Sequence, residues 1–286
     1  MIEGRDVRPS LLAARNLLKA LLLLGGFVAG LSALGWWIGG VGLTSVFFVI
    51  SLLMAGTLHW YGPRVILTSL RARELTLGEA PLLHTTLEQL AADAGVLRPR
   101  LYLIPDGFPR ALSVGRGASD FTIAVSEGLV IALPPAELEG VLAHELAHGR
   151  HRDVTIQTPV CVLATWIVEA SRLGGYLERT LLFVLAPIAA SLVHLFLSPK
   201  RELAADLAAA RTCGSPHGLA DALIRLEQAM ELLSFKASPA TEPVYIVNPF
   251  GNDRLAVMFN THPPIGERVG ALRDLDPDWR ERLRAA

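Results

Sequence analysis

The residues in this chain best suited to chemistry are two histidines four apart with a glutamate beside the first, in the run His144-Glu145-Leu146-Ala147-His148. On a helix, positions i and i+4 share a face, so His144 and His148 can point both imidazoles at one metal ion. Glu145 adjoins the first ligand, where it can reach a water activated by the metal without binding the metal itself. The neighbours Val141-Leu142-Ala143 and Leu146-Ala147 supply an apolar wall, which suits a dry metal site. The chemistry this implies is hydrolysis at a zinc ion, with Glu145 as general base.

A catalytic zinc takes three protein ligands and keeps a fourth position open. His151 is nearest in sequence, but an unbroken helix carries it about one turn past His148. It reads instead as a polar residue near a membrane surface. A longer pattern with a glycine and a further histidine at later offsets also fails, because Gly149 follows His148 directly. Glu202 is the better candidate. The run Arg201-Glu202-Leu203-Ala204-Ala205-Asp206 sets Glu202 and Asp206 four apart on one helical face. Glu202 can bind the metal while Asp206 accepts the ring N–H of a ligand histidine and fixes its tautomer. An isolated Glu/Asp pair is more often a solvated face; beside His144-Glu145-x-x-His148 that plainer reading loses most of its weight.

These two segments are separated by apolar sequence, and another apolar stretch precedes both. The chain has 286 residues, 51% hydrophobic and 19% charged, with a mean hydropathy of +0.41. An ordinary soluble domain is about 25% charged. A formal net charge of -1 offers no global field for nucleic acid. From Ala20 to Pro63 there is no Asp, Glu, Lys or Arg. That is about twice the length needed to span a bilayer. Gly39-Gly40-Val41-Gly42 interrupts it, so a helical hairpin is expected, roughly 18–38 and 43–60. A second apolar pair, 154–168 and 180–199, is shorter and carries Gln157, Pro159, Pro187 and His194. It reads as a second membrane hairpin, with a buried hairpin in a soluble domain as the alternative.

Lys and Arg collect on the cytoplasmic side of spanning helices. Arg5, Arg8, Arg15 and Lys19 precede the first limb and Arg64, Arg71 and Arg73 follow the second, while the turn between them has none. The large polar part of the chain is therefore expected in the cytoplasm. Cys161 and Cys213 are in no metal-ligand spacing, and no disulfide is expected between them.

The polar part must position the metal helices. An amphipathic helix is expected over 79–94, followed by extended runs at 101–105, 111–114 and 121–125 that suggest a small antiparallel sheet. Pro134-Pro135 opens the first metal helix, 136–152, with Glu137 and Glu139 in its first turn. Further helices are expected over 199–212, 217–234 and 264–275.

With these motifs in place the chain resembles the HtpX family of bacterial membrane metallopeptidases, whose superfamily includes the CAAX prenyl endopeptidases. The resemblance rests on Leu142-Ala143-His144-Glu145-Leu146-Ala147-His148, on Arg201-Glu202-x-x-Ala-Asp206, and on Thr261-His262-Pro263-Pro264 through Glu267-Arg268. It implies one Zn²⁺ per chain held by His144, His148 and Glu202, with endoproteolysis of misfolded or damaged membrane proteins in stress-linked quality control. His262 or Arg268 would donate to the oxyanion. The family's Asn-Ala-Phe-Ala-like strand beside the cleft corresponds to Arg110-Ala111-Leu112-Ser113-Val114-Gly115. Arg110 stands where the family has Asn, so a role for that amide does not carry over. Backbone pairing of Ala111, Leu112, Ser113 and Val114 with an extended substrate would survive, since it needs only strand N–H and C=O groups.

The fold class expected is thus an α+β membrane protein: mostly helical, with about four transmembrane helices and a zincin-like cytoplasmic domain holding a small antiparallel sheet. The parts would be an N-terminal hairpin (1–63), a first peptidase part (64–153), a second hairpin (154–199) and a second peptidase part (200–286). The expected setting is the bacterial cytoplasmic (inner) membrane, multi-pass, with the active site facing the cytoplasm. The partners would be polypeptide substrates and the lipid bilayer, with no nucleic acid. Two alternatives stand beside this reading: a zinc hydrolase of lipid-linked or prenylated substrates, and a membrane zinc scaffold without proteolysis.

Overall fold

A computed structural model describes residues 9–232, 245–246 and 258–278. Arg5 and Arg8, two of the charges used above for orientation, lie outside the described residues, as do 233 and 234 of the helix expected to end there.

The chain begins with α1 (Pro9–Ser69), 61 residues without a regular break in hydrogen bonding. Gly39 and Gly40 nonetheless leave helical geometry, Gly40 with φ +65°. Only a residue without a Cβ takes that conformation at little cost. A side chain built on Gly35 would meet the Leu43 carbonyl oxygen at 2.8 Å and the Phe47 Cβ at 3.0 Å. In a straight helix, residues 35 and 43 would be about 12 Å apart. α1 is therefore two limbs folded against each other, as the glycine cluster suggests. Its outer surface is apolar and exposed, with Leu21, Leu22, Trp37 and Leu53 all more than 60% accessible.

The second apolar segment is α5 (Asp153–Ala170), a 3-10 stretch (Ser171–Leu177) and α6 (Glu178–Phe196), reversed at Gly175. Among the described residues two apolar segments, Ser10–Ser69 and Asp153–Phe196, have the length and composition to cross a membrane. Their limbs differ in setting. α5 is packed among α1, α6 and the sheet, and Val154 through Ala164 are all buried. That explains its polar content: Gln157 Oε1 accepts a 2.5 Å hydrogen bond from Arg201. α6 is the outer limb, with Phe183 and Leu195 exposed.

Four strands, β1 (Arg73–Glu74), β2 (Arg100–Ile104), β3 (Ala111–Gly117) and β4 (Asp120–Ser126), form one sheet in the order β1-β2-β4-β3. The expectation of an antiparallel sheet needs correction. β1–β2 and β3–β4 are antiparallel, but β2 and β4 run parallel. The reason is the route between β2 and β3, which crosses the end of β4 instead of turning back beside β2. Gly128 N–H donates to the Asp106 carbonyl at 3.0 Å, and any Cβ on Gly128 would strike the Gly107 carbonyl oxygen at 2.1 Å. β3 is thereby left at the sheet's edge.

Alternate residues of a strand face opposite sides, and here both sides are covered. Ala111, Phe121, Ile123 and Val125 join a core with α2 (Pro81–Ala94) and α4 (Pro135–Arg150). Leu112, Val114, Ala124 and Ile104 join a second core with α1 and α5. Ser113 shares the parity of Ala111 and so faces α4. The remaining helices among the described residues are α3 (Glu127–Ala132), α7 (Lys200–Thr212), α8 (His217–Leu232) and α9 (Ile265–Arg273). α4 is held close on two sides. A Cβ on Gly140 would meet the Leu219 backbone at 2.6 Å, and one on Gly149 would enter the Phe121 ring. No disulfide joins Cys161 and Cys213.

Candidate active site

α4 opens with Pro135 at its first position and ends at Arg150, two residues before the expected end. Arg152 then turns left-handed, with φ +59°, and α5 departs from Asp153. Within α4, His144 and His148 project from one face, as their spacing requires. Their Nε2 atoms are 3.1 Å apart and the rings are nearly perpendicular. α7 packs against α4 and brings in Glu202. Its carboxylate stands 3.5 Å from His144 Nε2 and 3.7 Å from His148 Nε2. The three side chains are buried, and their ligand atoms lie within 4.8 Å of one another.

This donor set fits zinc on three counts. Bonds of about 2 Å in tetrahedral geometry place ligand atoms a little over 3 Å apart, close to the spacings seen. Both Glu202 carboxylate oxygens are buried and accept no hydrogen bond, an expensive arrangement for an anion unless a cation answers it. The charge balance also asks for a cation. Four buried carboxylates (Glu145, Asp153, Glu202, Asp206) face two buried guanidiniums (Arg201, Arg268), leaving two net negative charges when the imidazoles are neutral. The same imbalance acts on protons. Burial would lower the His148 imidazole, but Glu202 and Asp153 outweigh it and hold it at about 10. Burial would raise Glu202, but His262, His148 and Arg201 keep its carboxyl well below the usual carboxylate range.

Each ligand histidine has a carboxylate behind it. Asp206 Oδ1 lies 2.9 Å from His144 Nδ1, in the place the helical spacing indicates. Asp153 Oδ2 lies 2.8 Å from His148 Nδ1. Sequence reasoning missed Asp153. Its one signal is an acidic residue five after a ligand histidine, just beyond the helix end. Asp153 is itself held from α1, whose Asn16 donates to Asp153 Oδ1 at 2.6 Å and to the His151 carbonyl at 3.0 Å.

Glu145 is 1% accessible, on the same helix and beside the cluster. Burial pushes its carboxyl up, partly offset by His144 and His148. His262 lies against this cluster, its Nδ1 3.3 Å from Glu202 Oε2. Arg268 is placed otherwise. It is fully buried behind Asp206, donating from Nε at 2.8 Å and from a terminal nitrogen at 2.7 Å, with another bond to the Ile246 carbonyl at 2.6 Å. This guanidinium braces Asp206, and through it His144. Burial would raise the Asp206 carboxyl, but Arg268 holds it at about 2.

His151 stays out of the ligand cluster. It is 5% accessible at the α4–α5 junction, and burial lowers its imidazole to about 4. Ala111 through Val114 are on the edge strand, all buried. The outer edge carries partners from the same chain: Leu112 bridges to Tyr245, and Gly115 N–H donates to Thr158 Oγ1 at 3.1 Å. Arg110 pairs with Asp106 and extends over the Tyr245 ring.

Residues 78–276 match the model of peptidase family M48. "Protease HtpX homolog" of Pyrococcus abyssi is 38% identical over 271 residues, covering 89% of this chain and 94% of that protein. "Protease HtpX homolog" of Pelotomaculum thermopropionicum is 38% identical over 275 residues, covering 90% and 98%. Among solved structures, a crystal structure of S. mikatae Ste24p aligns with a TM-score of 0.45 at 19% identity, over 93% of this chain and 66% of that one.

Proposed function

The chain belongs to peptidase family M48, and from that premise we propose that it is a membrane-embedded zinc endopeptidase working at the cytoplasmic membrane surface. The observation that carries the proposal is the convergence of His144, His148 and Glu202, from two helices 54 positions apart at their nearest ligands, 148 and 202, with Glu145 beside them.

Bound there, Zn²⁺ would supply Lewis acidity, lowering the pKa of a water toward neutrality and polarising the scissile carbonyl. His144, His148 and Glu202 would hold it, and Asp206 and Asp153 fix the two imidazole tautomers from behind. Glu145 takes the proton of the attacking water and passes it to the leaving amine. Its burial makes it a stronger base than an exposed glutamate, and so better matched to both transfers. His262 is the donor nearest the cluster and is assigned to the developing oxyanion. Arg268 is assigned to positioning Asp206, since its three bonds point away from that task. Ala111–Val114 would line an extended peptide, with Ser113 set toward Glu145 and Tyr245 giving way or extending the pairing at Leu112.

The membrane reading rests on the two reversed apolar segments and their exposed outer surfaces. The ends of their limbs meet at one level. Asn16 touches Asp153, Lys19 donates to the Phe196 carbonyl at 2.5 Å, and Gly62 packs on Thr158. His148 is bonded to that same level through Asp153, so the metal site would sit at the bilayer surface. Arg15, Lys19, Lys200 and Arg201 gather there, and Arg64 follows Gly62 by two residues, which supports the cytoplasmic reading. Substrates would be segments of damaged or misfolded membrane proteins emerging from the bilayer.

The test is the Glu145→Gln variant purified in detergent beside the wild type. Zinc is expected at one per chain in both, with cleavage of an unfolded protein lost in the variant. Cleavage at the wild-type rate by Glu145→Gln would overturn the mechanism.

A further inference from the structure

A second site lies at the end of α1, on the far side of β3 from Glu145. It is a cavity of about 320 Å³ between α1 and the β3–β4 end of the sheet. Its charged lining is Arg64 from α1, Arg100 from β2, Arg116 from β3 and Asp120 from β4, with Tyr61 and Trp60 of α1 beside them. Asp120 is shared by two guanidiniums: it pairs with Arg116, and with Arg100 at 3.4 Å. Among the described residues Arg64 makes no ion pair, and its guanidinium sits 5.6 Å from the Tyr61 ring centroid. Arg116 lies over Trp60 at 4.3 Å. Three arginines against one aspartate leave the lining two charges positive. Guanidiniums match phosphate oxygens two at a time, which ammonium groups do not.

The level of this cavity is fixed by the sequence around it. The uncharged stretch of α1 ends at Pro63, and Arg64 is the first charge after it. Trp60 and Tyr61 are 61% and 51% accessible at that boundary, the depth where aromatic rings collect between hydrocarbon and headgroups. Gly62, between the aromatics and Arg64, packs on Thr158, and Thr158 accepts from Gly115 in β3.

We propose that this cavity binds the phosphate of an anionic phospholipid headgroup, so that the bilayer's own lipid seats the catalytic part against the membrane. The proposal rests on the reading of α1 as membrane-spanning. Soluble phosphate shares the ligand chemistry, but the exposed aromatics at the cavity's rim and the apolar helix leading into it favour a ligand that carries acyl chains. The strand it grips is β3, two residues beyond Ser113, so occupancy bears on the wall of the proposed peptide cleft.

The experiment uses the full chain with Glu145→Gln, to prevent proteolysis, in nanodiscs of phosphatidylcholine containing phosphatidylglycerol. Lipid retained on release into detergent is read by native mass spectrometry. Phosphatidylglycerol should be enriched over phosphatidylcholine, and Arg64→Gln should reduce that enrichment about fivefold, the loss expected of one basic residue at an anionic surface. Arg64→Gln combined with Arg116→Gln should abolish it. Arg172→Gln, which removes one charge at the opposite turn, should leave it unchanged. Enrichment that survives in both cavity variants overturns the proposal, as does an equal loss in Arg172→Gln. A parallel arm titrates inorganic phosphate into lipid-free protein. Binding there with the same arginine dependence, without phosphatidylglycerol enrichment, would make the site one for soluble phosphate and overturn the lipid assignment. In the active chain, with Glu145 retained, the same arginine substitutions should leave peptide KM unchanged; a rise in KM with lipid retention unaffected would give the cavity to the substrate and overturn the proposal too. Carbonate extraction of cell membranes separates the two readings. A chain that is extracted defeats the membrane reading itself, whereas an inserted chain without lipid selectivity defeats only this inference.

Discussion

His148 and Asp153 are joined Nδ1 to Oδ2 at 2.8 Å across the left-handed residue Arg152, so the helix of the two clustered histidines and the first helix of the second apolar segment meet through one of those imidazole rings. The carboxylate fixes the tautomer that leaves Nε2 facing the cluster. Carboxylates in this position typically contribute 10–100-fold to metal affinity. Asp153→Asn is accordingly expected to weaken zinc binding by about 10–100-fold, measured by competition with a chromogenic chelator. Activity should recover in large part at saturating zinc. Unchanged zinc affinity would remove Asp153 from the site.

Asn16 extends that connection into α1. Its amide donates to Asp153 and to the His151 carbonyl, so it is bonded to both sides of the helix break. Asn16→Leu should weaken zinc binding by a smaller factor than Asp153→Asn. In the double variant the two losses should not add, because both act through one carboxylate. Additive losses would show that Asn16 acts by packing alone.

The site was legible in the sequence where its residues obey a helical period and illegible where the chain changes direction. His144, His148, Glu202 and Asp206 are pairs at i, i+4, and the structure places all four as the spacing requires. Asp153 follows a helix end set by Arg152 at positive φ, a conformation that an arginine does not advertise. The Arg268 motif gave proximity to the site but not direction, and its guanidinium braces Asp206 instead of opening to the cleft. The sheet divides in the same way. All three extended runs, 101–105, 111–114 and 121–125, were legible, but the parallel pairing of β2 with β4 depends on the path of residues 105–110 across the strand ends. The α1 hairpin was legible because Gly39 and Gly40 are where the chain must turn.

Arg268 separates stability from catalysis. Replacing it with Leu would leave the buried Asp206 carboxylate without its partner, a loss typically of about 3–5 kcal/mol. Arg268→Leu is expected to lower the thermal midpoint clearly at fixed zinc concentration. Arg268→Lys should recover little of it, because one ammonium cannot reproduce the paired bonds to Asp206. A normal melting curve with only kcat reduced would restore Arg268 as an oxyanion donor.

His151 gives a pH dependence with a defined sign. Burial lowers its imidazole from 6.5 to about 4, so the unfolded chain takes up a proton before the folded one does. The stabilising difference is present above about pH 6.5 and is lost as pH falls toward 4, with a size of roughly 3 kcal/mol by linkage. Chelator-treated protein keeps zinc release out of this measurement. His151→Gln should flatten the stability profile between these pH values. An unchanged profile would assign the acid sensitivity to other groups.

His262 is the last residue whose role divides cleanly by measurement. Its Nδ1 is 3.3 Å from Glu202 Oε2, and its backbone N–H is held by Asn260 Oδ1 at 3.0 Å, so the loop sets the ring against the cluster. Two functions are compatible with that place. A ring that only orients Glu202 acts on metal affinity, and its loss would resemble that of Asp153. A ring that donates to the developing oxyanion acts on the transition state alone. Removing such a donor typically lowers kcat by a hundredfold or more. His262→Ala is expected to follow the second course, with kcat down by about that factor, KM little changed and zinc affinity within a few-fold of wild type. A fall in zinc affinity with kcat restored by added zinc would instead make His262 a support for Glu202. The oxyanion would then need another donor, and Arg268 is already committed to Asp206.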